Sequence, residues 1–385
     1  MRLPEEELAQ LKESGLFRSL RHITASTASD LTIEGRELLN FSSNDYLGLS
    51  SHPALRTAAQ AAIEQWGTGA GASRLICGSL DPSHALEARL AELKKTAAAL
   101  TFANGYTAAV GSITSLVGTG DTVILDKLSH ASLVDGARLS GATLRVFPHN
   151  NLEKLARLLE SSASTTSRTL VVTESVFSMD GDLAPLLDII DLKDRFGALL
   201  LLDEAHAIGV LGPSGQGLAE ELGVQDQVDF QMGTLGKAVG SAGGYLATSQ
   251  AYVDLMINKA RSFIYSTAPP PAQAAASLAG LNLIASAEGT VLRARLQQHI
   301  VTVSEKLTLP SRALATPILP LIIGENDHAL AASQKLLAAG LLVPAIRYPT
   351  VPRKTARLRL TLSAAHQGDQ LDQLIKALSL LKKPE

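Results

Sequence analysis

The sequence predicts an α/β protein: a large domain over residues 46–270 on a mostly parallel sheet, a smaller C-terminal α+β domain over 271–385, and an N-terminal arm over 1–45. Three observations carry this reading. Short apolar runs, DTVILD (121–126), TLVVTES (169–175), ALLLLDEAH (198–206) and GGYLAT (243–248), alternate with stretches of helical periodicity. The runs are continuous in apolarity, which marks strands covered on both faces, as in a parallel sheet between helix layers. A triple proline, Pro269 to Pro271, then interrupts the chain, and neither a helix interior nor a central strand tolerates it.

In order along the chain, Leu8 to Leu20 reads as a helix, followed by an extended piece, DLTIEGRELLNF, that turns at Glu34-Gly35. PALRTAAQAAIEQWG (53–67) has proline in its first turn and glycine at its stop, the asymmetry expected of a helix. HALEARLAELKK (84–95) places Leu86, Leu90 and Leu93 on one side. Helices are expected at 151–162 and 183–197 between the strand runs, and SSASTTSR (161–168) reads as a polar surface loop. Beyond the prolines, helices are expected at 274–306 and 327–339, and strands at 316–324 and 356–363.

With 385 residues, 46% of them hydrophobic, the chain can bury a sizeable core. A net charge of -3 argues against nucleic acid, whose backbone demands concentrated positive charge. Cys77 is the only cysteine, which excludes an intrachain disulfide and a C-x-x-C metal site and suits a reducing, cytoplasmic setting. No run of about 20 apolar residues suggests a membrane span, and the charged N-terminus lacks a secretory pattern.

Polar residues directly after the strand runs mark the ligand edge of an open sheet. Asp203 ends one run, and His206 follows it. A buried carboxylate there needs a hydrogen-bonding or cationic partner; capping the next element is the alternative. His130 lies just past another run, placed either as a core histidine or as a flat face for a planar ring. Asn104-Gly105-Tyr106 opens a helix of small residues, whose amide groups favour an anion. In MGTLGKAVGSAGG (232–244), Lys237 sits among glycines that let a ligand approach the backbone, and Thr234 lies close by. There is no phosphate-loop or dinucleotide glycine fingerprint and no metal cluster. An anion cradle, a stacking surface, a carboxylate and a lysine together suit a phosphorylated, ring-shaped, lysine-tethered cofactor, which is pyridoxal phosphate.

NFSSNDYLGLSSHP (40–53), FANGYTAA (102–109), DKLSHASLVDG (126–136), VVTESVFSMDGDLAPL (171–186), LLDEAHAIGVLGPSGQG (201–217) and FIYSTAPPP (263–271), with the lysine segment, occur in one order. In these motifs, from about residue 20 to 370, the chain resembles the α-oxoamine synthases, fold-type I pyridoxal-phosphate enzymes that join an amino acid to an acyl thioester with loss of carbon dioxide. The resemblance implies that Lys237 carries the cofactor, Asp203 meets its ring nitrogen, His206 its ring hydroxyl, and His130 stacks on the ring. It places Gly105, Tyr106, Ser178 and Thr234 against the cofactor, with Glu174 nearby, and Thr267 in the neighbouring subunit's site of a homodimer. Asn44 falls near the reacting centre and Arg359 at the amino-acid carboxylate.

Arg347, directly before YPTVP, is similar to the family member that uses L-alanine and a pimeloyl thioester, borne by coenzyme A or an acyl carrier protein; glycine with an acetyl thioester is the alternative. Arg21 or Arg18 is a further candidate for the distal acyl carboxylate. The RKTAR patch (353–357) suits carrier phosphates or a solvated surface equally. Two positions depart from the family pattern: Cys77 with the SLDPSH segment, which bears on acyl length, and Ser175 in place of glycine.

Overall fold

The computed structural model describes residues 4–14, 16–162, 167–310 and 316–381; much of the loop expected over 161–168 lies outside them. A seven-stranded sheet runs in the order Ala98–Phe102, Gly244–Thr248, Phe230–Thr234, Leu199–Asp203, Thr169–Glu174, Thr122–Asp126, Thr143–Phe147. Gly244–Thr248 is antiparallel to both its neighbours, and the pairs from Phe230–Thr234 onward are parallel. The central strands Thr169–Glu174 and Gly244–Thr248 are buried at every position, the physical reason their sequences lack alternation.

The first helix spans Pro4–Glu13, short of the expected Leu20. The Ser14 hydroxyl donates to Gln10 O at 2.7 Å, and the amides of Leu16 and Phe17 both turn back to Leu11 O, which closes the last turn. The helix Pro53–Trp66 begins on proline and ends where Gly67 adopts φ 79°, as its sequence predicts. The expected 274–306 helix is two helices, Pro271–Ile284 and Ala287–Lys306, bent by 74°. Ser286 makes the break by accepting the Gly289 amide at 3.3 Å.

Pro271–Ile284 packs against Pro53–Trp66 and Asp81–Lys94, so the residues just past the prolines lie on the large domain. Conversely, Arg36–Asn40 pairs in parallel with Leu341–Leu342, joining the arm to the C-terminal unit. That unit also holds the sheet Ile318–Gly324, Ala356–Thr361, Ala345–Ile346. Among the described residues no single helix is long and apolar enough to cross a membrane.

The ends of the sheet position the chemistry. Asp126, Glu174, Asp203 and Thr234 are the last residues of four strands. The reversed strand begins at Gly244, opposite Phe102 and Thr234, so its start faces the same edge.

Candidate active site

A cavity of about 150 Å³ opens at this edge, lined among others by Gly105, Tyr106, His130, Asp203, His206, Thr234 and Lys237. Its back wall follows from strand register. Glu174 and Asp203 are paired neighbours on adjacent strands. Both are buried, and burial raises both carboxyls, Glu174 to about 8. Glu174 Oε1 accepts the His130 amide at 2.5 Å. Asp203 Oδ1 accepts the Ala205 amide at 2.9 Å, and its carbonyl accepts both the Ser175 amide at 2.9 Å and the Ser175 hydroxyl at 3.0 Å. A glycine at 175 would keep only the first of those two bonds to the carbonyl; the serine therefore adds a tether to the strand end bearing Asp203.

Lys237 reaches the cavity from the glycine loop. Gly240 in that loop has φ +77°, and a Cβ there would stand 2.6 Å from the Leu49 backbone, so the turn requires glycine. Lys237 Nζ lies 2.7 Å from His206 Nε2. Burial lowers the lysine to about 8, opposed by the charges of Asp203 and Glu174. Burial, with the nearby charges of Lys237 and Arg359, holds His206 well below the usual imidazole range. Its ring is therefore neutral.

The chain continues beyond the cavity. Tyr46 Oη lies 2.6 Å from His206 Nδ1, and the hydroxyl donates to Asn44 Oδ1 at 3.1 Å. The Arg359 guanidinium donates to the same Asn44 oxygen through both terminal nitrogens, at 3.2 Å each, and through Nε to Ser178 O at 2.7 Å. Ser363 supports this loop, its hydroxyl donating to Asp45 O at 2.7 Å. Tyr46 was absent from the sequence-derived candidates. Its adjacency to Asn44 in the polar NDY triplet was the available signal, weakened because a fully buried tyrosine also reads as core.

The expected cofactor fits these residues. Asn104 caps the helix Gly105–Leu116 by accepting the Thr107 amide at 2.9 Å. The amides of the first helical positions, Gly105 and Tyr106, have no carbonyl four residues back within the helix to bond, which suits them to an anion. A Cβ on Gly105 would meet the Thr234 side chain at 3.5 Å, filling the cradle between them. Thr234 donates its hydroxyl to Gly243 O at 2.9 Å, so serving a phosphate requires it to rotate off that carbonyl. His130 caps the helix Ala131–Ser140 through Nδ1, which accepts the Ser132 amide at 3.3 Å and holds the ring at the cavity rim.

Four expected residues stand apart. Arg347 donates to Phe17 O at 3.3 Å, tying the N-terminal arm beside the C-terminal unit. Arg21 on that arm is exposed, as are Thr267 and Cys77, and none of these lines the cavity. Thr267 is bridged to Ser73.

A mostly parallel sheet presenting a lysine, a buried acid and a neutral histidine at its strand ends defines an enzyme of fold type I. The sequence model of "Aminotransferase class I and II" matches residues 36–378. An 8-amino-7-oxononanoate synthase of Geobacter sulfurreducens is 48% identical over 380 residues, 98% of this chain and 97% of that one. Among solved structures, a serine palmitoyltransferase from S. paucimobilis, bound to a pyridoxal-phosphate–myriocin adduct, superposes with TM-score 0.91 at 29% identity, covering 98% and 96% of the two chains. An 8-amino-7-oxononanoate synthase from Francisella tularensis superposes with TM-score 0.76 at 28% identity, covering 89% of this chain and 96% of that one. The chain belongs to the aminotransferase class I and II family, in the branch of the 8-amino-7-oxononanoate synthases. Shape alone does not separate that branch from the palmitoyltransferases; the 48% identity to the Geobacter synthase, against 29% to the palmitoyltransferase, does.

Proposed function

We propose that the chain is a pyridoxal-phosphate-dependent acyltransferase that condenses L-alanine with a pimeloyl thioester, releasing carbon dioxide and the thiol carrier to give 8-amino-7-oxononanoate for biotin synthesis. The observation that carries this is Lys237 in one cavity with Asp203 and His206, in a chain 48% identical to a synthase of that name.

Bound there, the cofactor would supply an electron sink for cleaving bonds at the amino-acid α-carbon. Lys237 would hold it covalently and, once released, take the α-proton on Nζ. Asp203 would keep a ring nitrogen protonated, since a shielded carboxylate–cation pair favours the charged form. His206, neutral and anchored by Tyr46, would donate to a ring oxygen. His130 would pack on the ring face and direct the thioester. Arg359 would grip the α-carboxylate through a two-pronged contact by turning its terminal nitrogens from Asn44, while its Nε bond to Ser178 O holds the guanidinium in place.

Arg347, with Arg21 or Arg18 on the arm it ties down, would meet the distal carboxylate of the pimeloyl group. A homodimer would bring Thr267 to the partner's phosphate, and a cytoplasmic setting suits the substrates. The carrier is coenzyme A or an acyl carrier protein.

Borohydride reduction of the cofactor-loaded protein, followed by peptide mass analysis, tests the lysine: the pyridoxyl label belongs on Lys237, and a label elsewhere rejects the assignment. Product analysis with alanine and pimeloyl thioester, against glycine and acetyl thioester, tests the substrates.

A further inference from the structure

His149 has no place in the chemistry above, yet it bridges two carboxylates beneath the site. Its Nδ1 lies 3.1 and 3.2 Å from the oxygens of Asp126, and its Nε2 lies 2.7 Å from Asp182 Oδ2. The Asp126 side chain has no exposure to solvent, and Asp182 Oδ1 is buried without a partner. These are the charged groups that face the ring; Asn150 flanks it, donating to Leu183 O at 3.0 Å, and Phe177 meets it edge-on with centroids 4.4 Å apart. Burial opposes a charged ring, but the bonds and charges of the two acids outweigh it and raise His149 to about 10. Only the protonated ring donates to both acids at once.

Asp182 closes a tight turn, its carbonyl accepting the Phe177 amide at 3.0 Å while the Gly181 amide donates to Phe177 O at 2.8 Å. The outer side of this turn faces the C-terminal unit. Ser178 O accepts Arg359 Nε at 2.7 Å, Met179 O accepts Arg357 at 3.3 Å, and Gly181 O accepts the Thr316 hydroxyl at 2.6 Å. Asp180 pairs with Arg357 at 2.5 Å. The turn is thus held from the large domain through His149 and read by the arginine strand Ala356–Thr361 through its carbonyls.

We propose that His149 is a positioning residue: by bridging Asp126 and Asp182 it fixes the 177–183 turn whose Ser178 carbonyl aims Arg359 at the amino-acid carboxylate. This rests on the role of Arg359 proposed above. A neutral or absent side chain leaves the buried Asp126 facing the part-exposed Asp182 with no cation between them, and the turn carrying Asp182 moves away to let water reach Asp126.

The test uses His149→Gln, which cannot donate to both acids, and Asp182→Asn, which removes one charge at constant shape. In the cofactor-loaded protein both variants raise KM for L-alanine about tenfold while kcat stays within about threefold, the pattern of lost uniform binding. In the cofactor-free protein, amide exchange across 177–183 accelerates while that of the helix Asp81–Lys94 is unchanged. The stability of wild type relative to His149→Gln is full below the ordinary imidazole value of 6.5 and is lost as pH rises through about 10, because the folded state binds that proton more tightly. Wild-type KM and wild-type exchange in both variants overturn the proposal, as does a loss spread equally over KM, kcat and the distant helix. A wild type that ignores alanine counts against the proposed function instead, and local exchange alone then decides the role of His149.

Discussion

Tyr46 and His206, 160 positions apart, meet through a 2.6 Å hydrogen bond that joins the lysine side of the site to its arginine side. When Lys237 is charged it donates to His206 Nε2, Nδ1–H then donates to Tyr46, and the tyrosine proton goes to Asn44. When Lys237 is neutral the chain can reverse. Tyr46→Phe breaks this connection without changing shape. Proton abstraction from L-alanine, read as deuterium exchange at its α-carbon, should slow about tenfold, the worth of roughly one net hydrogen bond. Unchanged exchange removes Tyr46 from the chemistry.

The lowered lysine makes cofactor capture pH-dependent. Lys237, at about 8 against an ordinary 10.5, must lose its proton to attack an aldehyde. In the cofactor-free protein the rate of pyridoxal phosphate attachment should rise with pH up to about 8 and then level. The sign for folding is fixed by the same shift: the unfolded chain binds this proton more tightly, so the lysine's contribution to stability grows as pH climbs from about 8 to 10.5. An attachment rate flat from pH 6 to 9 would contradict the shift.

Asp203→Asn keeps the Ala205 amide bond and relieves a buried charge, so thermal stability should hold or increase. α-Deuterium exchange of alanine should nevertheless fall by about 10²–10³, by analogy with the loss of one strong electrostatic stabiliser. Exchange at the wild-type rate would show that the acid does not govern the ring nitrogen.

The two arginines proposed to meet the substrates should separate kinetically. Arg359→Lys loses the planar fork, in which Nε holds Ser178 O while the terminal nitrogens would turn from Asn44 to the carboxylate, and KM for alanine should rise by roughly 10–100-fold. Arg347→Ala should raise KM for the pimeloyl thioester and leave that for alanine near wild type. A shared effect on both substrates would place Arg347 in holding the arm through Phe17 rather than in recognition.

Strand-end residues were readable because continuous apolar runs locate the ligand edge of a parallel sheet: position singled out Asp203 and His130, with a helix cap and a core histidine as alternatives, and the resemblance supplied their roles. Asn44 and Arg359 came only through family resemblance, since their contact spans 315 positions and no local pattern encodes it. The reversal of Gly244–Thr248 was invisible because a buried strand has the same apolar composition in either direction. Glu174 beside Asp203 and His149 beneath the turn depend on register and loop geometry, which set which acids share a proton or a cation. The first helix was overextended because its apolar spacing continues past the point where Ser14 diverts the backbone carbonyls.

The distance along the chain between Asn44 and Arg359 also orders how the site is completed during translation. A ribosome working from the N-terminus delivers the loop of Asn44 early and the amine of Lys237 midway, while the Arg359 guanidinium that donates to Asn44 emerges near the end. Until then the proposed carboxylate grip lacks its cation, so under the proposed function selectivity for an amino acid is the last property the growing polypeptide acquires.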